Sequence, residues 1–102
     1  MSASLQVSYP IGADTHFDYE YYLATHMPLV AEHMGAFIKQ TLVTKGLAGG
    51  PDVPPGEYAI ATMTFADGDA LNGALAVAGP VLADIQNFTN VQPKMLIGQV
   101  IA

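Results

Sequence analysis

The chain has 102 residues, of which 51 % are hydrophobic and only 12 % charged, and its three lysines, absent arginines and nine acids leave a net charge of −6. That length allows one domain, residues 1–102, with a single core burying about 60 to 68 % of the surface an unfolded chain exposes. The acidic balance excludes a phosphate-binding face for nucleic acid, the lack of cysteine excludes disulfides and thiolate chemistry, and no run approaches the roughly 18 uncharged apolar residues of a membrane span.

Leu5, Val7 and Tyr9 alternate with Gln6 and Ser8 in the period-two pattern of a strand, which Pro10 to Gly12 stop with turn chemistry. Asp18 is placed to cap the first helix, Glu20 lies in its first turn where the helix dipole favours an acid, and Gly35 ends it. Pro28 removes a backbone hydrogen bond inside that helix, which predicts a kink or break over residues 24–28. Phe37 to Thr44 has the β-branched and aromatic density of a second strand, and Gly46 to Gly56, with Gly-Gly-Pro and Pro-Pro-Gly, reads as a long loop.

In the third strand Tyr58, Ile60, Thr62 and Thr64 alternate with Ala59, Ala61, Met63 and Phe65. Asp67 or Asp69 caps a second helix whose small-residue face is Leu71, Ala74, Leu75 and Ala78. Gly79-Pro80 interrupts it, a short helical turn covers Val81 to Ile85, and Val91 to Ile101 forms the last strand. This order predicts an α+β, ferredoxin-like βαββαβ fold, an antiparallel four-stranded sheet with two helices on one face. The other face is left bare. Pairing with a second copy hides it and absorbs the apolar excess, so a homodimer is expected.

The first helix carries the most informative residue. Winding residues 19–34 at about 100° per step gathers Tyr19, Tyr22, Leu23, His26, Met27, Leu29, Val30, His33 and Met34 onto one half, with Glu20, Tyr21, Ala24, Thr25 and Glu32 opposite. On such a helix His26 points into the sandwich between helix and sheet, where an imidazole is tuned for proton transfer. Its alternative is a core histidine satisfied by a backbone carbonyl. His26 and His33 are about 10 Å apart along the axis, too far to share an ion, so no metal is expected.

Across nearly the whole chain the residues resemble the EthD-like family, small members of the dimeric α/β-barrel superfamily named after a component of ethyl tert-butyl ether degradation. The resemblance is carried by Tyr9-Pro10, by Phe17-Asp18-x-x-Tyr21-Tyr22 with Thr25-His26-x-Pro28-Leu29, by Glu57-Tyr58 opening a strand that ends in Thr64-Phe65, and by Ala83-Asp84-Ile85-x-Asn87-Phe88-Thr89. It implies a ferredoxin-like dimeric α/β barrel with a pocket between the sheet and helices of each subunit. Related proteins include cofactor-free isomerases, cyclases, decarboxylases and small oxygenases. The family also carries an oxidoreductase label, yet neither a Gly-x-Gly-x-x-Gly nor a Rossmann-like order supports a nicotinamide or flavin site.

The expected reading is therefore a protein that takes a small hydrophobic oxygenated molecule and performs isomerisation, cyclisation or decarboxylation by acid–base chemistry, with no cofactor. His26 is the expected acid or base, with Tyr22 one turn earlier orienting the ring or the substrate. Asn87 is expected to donate to an oxyanion, and Asp84 to set a histidine tautomer or hold the substrate; the alternative for both is a turn or cap. Tyr58 and Tyr9 present hydroxyls from the sheet or serve only as packing. The competing readings are a non-catalytic metabolite-binding accessory of an oxidative degradation pathway, and a cofactor-free oxygenase or the reductase of the family label. Met1-Ser2-Ala3-Ser4 lacks the start of an export signal, so a cytoplasmic protein is expected, with neither nucleic acid nor membrane as partner.

Overall fold

Alternation of side chains builds the sheet. In the computed structural model, which describes residues 2–102, the strands are β1 (Ala3–Pro10), β2 (Ile38–Lys45), β3 (Glu57–Phe65) and β4 (Lys94–Gln99). They pair antiparallel in the order β2-β3-β1-β4. β1 buries Ala3, Leu5, Val7 and Tyr9, and β3 buries Ala59, Ala61, Met63 and Phe65, all on the face that the helices cover. Register places Val43, Ala61, Val7 and Met95 in one row across this face, beside a second row of Thr41, Met63, Leu5 and Ile97. The opposite face carries the row Leu42, Thr62, Gln6 and Leu96, with both leucines exposed and Gln6 Nε2 donating to Thr62 Oγ1 at 3.2 Å.

Three helices cover the buried face, arranging the whole as the ferredoxin-like α+β fold. Helix α1 runs through three consecutive stretches, Tyr19–Tyr21, Tyr22–His26 and Met27–Met34. α2 is Gly68–Ala76, capped by the Asp67 carboxylate on the Ala70 amide, and α3 is Gly79–Asp84, continued by a 3₁₀ turn over Ile85–Asn87. Two helices were expected on this face. The third arises because Pro80 has no amide to continue α2 but suits the first turn of a new helix, so the chain restarts there. The last strand is also shorter than the span Val91 to Ile101. Val91 turns into the core with its amide bonded to Thr89 Oγ1, and Pro93 has no amide to join the ladder.

The break expected at Pro28 takes a different form. The middle stretch of α1 is a π-helix, in which the Met27 amide bonds the Tyr22 carbonyl five residues back. Pro28 cannot donate to the Ala24 carbonyl, and the wider turn accommodates this without breaking the helix. The inserted residue re-indexes the buried face. Tyr22, His26, Val30 and Met34 are buried at intervals of four, while Leu23, expected inside, is 60 % exposed.

The connection from β1 into α1 is clamped to the end of α3. The Asp18 amide bonds the Phe88 carbonyl at 2.8 Å, the Thr89 hydroxyl donates to the His16 carbonyl at 2.6 Å, and Asn90 bridges the His16 amide and the Asp14 carbonyl. Phe88, 1 % exposed, sits at the junction with its ring against Tyr9, Phe17, Tyr21, Tyr22 and His26. Residues far apart in sequence are thereby held at one end of the sandwich. Among the described residues no helix is long and apolar enough to cross a membrane.

Candidate functional site

The π-turn sets the site's geometry. Within it the rings of Tyr22 and His26, one turn apart, stack with centroids 5.5 Å apart and planes within 16°. His26 is 3 % exposed, and its Nδ1 lies 3.0 Å from Asp84 Oδ2. Asp84 Oδ1 accepts from the Tyr21 hydroxyl at 2.7 Å and from the Asn87 amide at 2.9 Å. Burial alone would raise the Asp84 carboxyl, but donation by Asn87, Tyr21 and His26 outweighs it and holds the group below the usual carboxylate range. An ionised carboxylate only accepts, so Nδ1 carries the proton and Nε2 the lone pair.

Burial pushes the imidazole below its ordinary value of 6.5, against the opposing pull of Asp84. His26 is therefore neutral near pH 7. This is the arrangement in which a carboxylate fixes the tautomer of a histidine base and stabilises the imidazolium once it forms.

His26 and Tyr22 line an internal chamber of about 40 Å³ between α1, α3 and the sheet. The rest of its wall is apolar, with Tyr9, Val7, Val30, Ala61, Val81 and Ile85 among its members. All four methionines of the described residues, Met27, Met34, Met63 and Met95, also face it. The Tyr22 hydroxyl is buried and makes no hydrogen bond among the described residues. Burial pushes the Tyr22 phenol up to about 12 and raises Tyr9 further, with Tyr22 adding to the latter effect, so both stay neutral donors. The chamber is smaller than the pocket expected between sheet and helices. It has room for a few waters, whereas pockets that enclose a whole organic ligand measure about 300 to 1,000 Å³.

Of the residues singled out in the sequence, the structure brings His26, Tyr22 and Tyr9 to the chamber and Asp84 and Asn87 to the other side of the imidazole. Asp84 holds the histidine instead of lining the chamber, and Asn87 is exposed and donates to Asp84, where an oxyanion donor had been expected. Tyr58 is elsewhere. Its hydroxyl bonds Thr15 Oγ1 at 2.8 Å, its ring stacks on Phe17, and its carbonyl accepts from Tyr19, so it braces the β1–α1 connection. Tyr21 was assigned to the outer half of the helix, and its bond to Asp84 was missed. The signal available was the pair of adjacent tyrosines ahead of Pro28, since a widened turn rotates the first of them inward.

Comparison with known proteins bears on the fold. The chain is similar to the crystal structure of an EthD-like protein from Ralstonia eutropha JMP134, with 30 % identity and a TM-score of 0.88 over 99 % of this chain and 93 % of that one. An EthD family protein from Bacillus halodurans C-125 aligns with 19 % identity and a TM-score of 0.68, covering 99 % of this chain and 100 % of that one. SnoaB, a cofactor-independent oxygenase from Streptomyces nogalater, shares the fold at 11 % identity and a TM-score of 0.62, covering 97 % and 94 %. No family model and no curated protein matches the chain.

Proposed function

The chain belongs to the EthD-like family, and from that premise we propose that it transfers a proton to and from a small, uncharged, oxygen-bearing organic molecule, with His26 as the base. The observation that carries this reading is the buried Asp84–His26 pair beside an apolar chamber lined by Tyr22, whose hydroxyl makes no hydrogen bond among the described residues. Nε2 removes a proton from the carbon next to a carbonyl or from a phenol oxygen. The imidazolium so formed faces Asp84 at 3.0 Å, and the negative charge that develops on the substrate oxygen is met by the Tyr22 hydroxyl. Returning the proton at another position completes an isomerisation, and attack of the carbanion on a second carbonyl of the same molecule, followed by protonation of the new alkoxide, completes a cyclisation.

A second reading is favoured by the likeness to SnoaB. The same deprotonation makes an electron-rich carbanion or phenolate that reacts with dioxygen directly, giving an oxygenase that uses the base and nothing else of the chain. Oxygen uptake during turnover separates the two. The bare sheet face with exposed Leu42 and Leu96 supports pairing with a second copy of the chain, which native mass spectrometry reads as a dimer.

The test needs no knowledge of the natural substrate. 1-Tetralone is incubated with the protein in deuterium oxide and deuterium incorporation next to the carbonyl is followed by NMR. The protein accelerates the exchange, and His26→Gln abolishes the acceleration while remaining folded. Equal exchange by both proteins rules out His26 as the base, and stoichiometric binding with no acceleration identifies a metabolite-binding accessory instead.

A further inference from the structure

The chamber beside His26 does not end at its wall. A groove of about 580 Å³ on the surface, running between α3 and the chain leading into β4, shares Leu82, Ile85 and Met95 with it. Leu82 and Met95 are each 48 % exposed and Ile85 is 9 % exposed, and all three border both spaces. The outer volume falls within the range that encloses an organic ligand, and the inner one does not. Charge is absent from both linings. In the groove Thr89 and Asn90 are committed to holding the β1–α1 connection, but the carboxamides of Gln86 and Gln92 are exposed and make no hydrogen bond among the described residues.

Building on the proton-transfer reading, we propose that chamber and groove are the two halves of one binding site, gated by Leu82 and Met95, for an elongated uncharged ligand. Its oxygen-bearing end enters the chamber, and its remainder lies in the groove with a hydroxyl or amide group on Gln86 and Gln92. This reconciles a reactive centre sized for a few atoms with a family site for organic molecules. Only the end that meets Nε2 and the Tyr22 hydroxyl has to pass inside. The inner wall is suited to yield to it, because an unbranched thioether turns about three bonds and Met27, Met34, Met63 and Met95 all face the chamber. A charged end is excluded, since no lysine lines the site to neutralise a carboxylate and the Asp84 carboxylate stands close behind the imidazole.

The test uses full-length protein labelled at the methionine methyls and glutamine side chains, titrated by NMR with 4-(4-hydroxyphenyl)cyclohexanone, a neutral ketone with a phenol at its far end. Cyclohexanone is the half-length control. The long probe shifts the Met34 and Met63 methyls and the Gln86 and Gln92 amides with one affinity, at least tenfold tighter than cyclohexanone. Leu82→Trp, at a half-exposed position that tolerates bulk, closes the gate and abolishes the Met34 and Met63 shifts, whereas Leu82→Ala keeps them. Replacing Gln86 and Gln92 by alanine weakens the long probe about fivefold or more, as expected for one or two lost hydrogen bonds, and leaves cyclohexanone unchanged. Shifts confined to the groove, equal affinity of the two probes, or identical behaviour of Leu82→Trp and Leu82→Ala overturn the bipartite site. Because these are binding measurements, they stand apart from turnover. A long probe bound in both halves but with no deuterium exchange overturns proton transfer alone, and exchange of 1-tetralone unaffected by Leu82→Trp overturns the gate alone.

Discussion

Removing the Tyr22 hydroxyl is expected to stabilise the free protein and weaken it as a binder. Tyr22 is 1 % exposed, and its hydroxyl has no partner among the described residues. A buried neutral polar group left unsatisfied costs about 1 to 3 kcal/mol, and Tyr22→Phe removes that cost while keeping the ring stacked on His26. The void left by one oxygen, roughly 10 Å³, returns only about 0.2 to 0.3 kcal/mol of destabilisation. The net gain is then about 0.7 to 2.8 kcal/mol, and at about 4 to 8 °C per kcal/mol for a domain of this size the melting temperature rises by at least about 3 °C. Circular dichroism at neutral pH without ligand, by heating and by urea, measures it. The same variant binds 1-tetralone at least about fivefold more weakly, because the donor for its oxygen is gone. A melting temperature that stays level or falls refutes the reasoning, since the hydroxyl is then already satisfied in the resting protein and is not held for a ligand.

Asp84→Asn places an amide where the carboxylate accepts three donors, turns the histidine proton toward Nε2, and lowers the 1-tetralone exchange rate by more than about 10³-fold, as for other carboxylate-oriented histidine bases, with the fold retained by circular dichroism. Stability is expected to be level from pH 6.5 up to the onset of tyrosine ionisation near 10 and to decline below 6.5. A His26 whose folded value lies under 6.5 takes up its proton first in the unfolded chain, so stability falls as pH drops from 6.5 through the folded value. Asp84, depressed in the folded state, adds a second decline as pH falls below 3.8 through its folded value. Urea midpoints across this range measure both, and His26→Gln removes the upper decline; a decline that persists unaltered in that variant assigns it to another group. Gly73→Ala drives a methyl to 2.5 Å from the Phe37 ring and is expected to cost about 1 to 3 kcal/mol of stability by overpacking α2 on the chain entering β2, read as a lower urea midpoint.

The sheet could be read from the residues because β1 and β3 bury one face only, and period-two alternation is the direct record of that. β4 was harder. It is an edge strand whose residues are almost all exposed, so its apolar run Met95-Leu96-Ile97 gave no sidedness by which to place its start, and Val91 was counted with it although it packs in the core. The inward setting of His26 followed from helical spacing, but the π-turn did not. Regular 100° stepping put Leu23 inside and Tyr21 outside, and one residue inserted ahead of Pro28 reverses both. Asp84 and Asn87 were singled out, yet their work on the imidazole depends on a clamp between residues 14–18 and 88–90 that no local pattern announces. Tyr58 illustrates the converse case. A strand tyrosine looks the same whether its hydroxyl faces a chamber or, as here, a neighbouring threonine.

The protonation state of one ring tests the account at its centre. Protein labelled with nitrogen-15 in its histidines and recorded by long-range proton–nitrogen correlation at pH 7 shows which nitrogen of His26 carries hydrogen. A neutral ring with the proton on Nδ1, toward Asp84, and an unprotonated Nε2 that titrates below 6.5 is the result expected. A proton on Nε2, or an imidazolium that persists above 6.5, leaves no base facing the chamber and contradicts it.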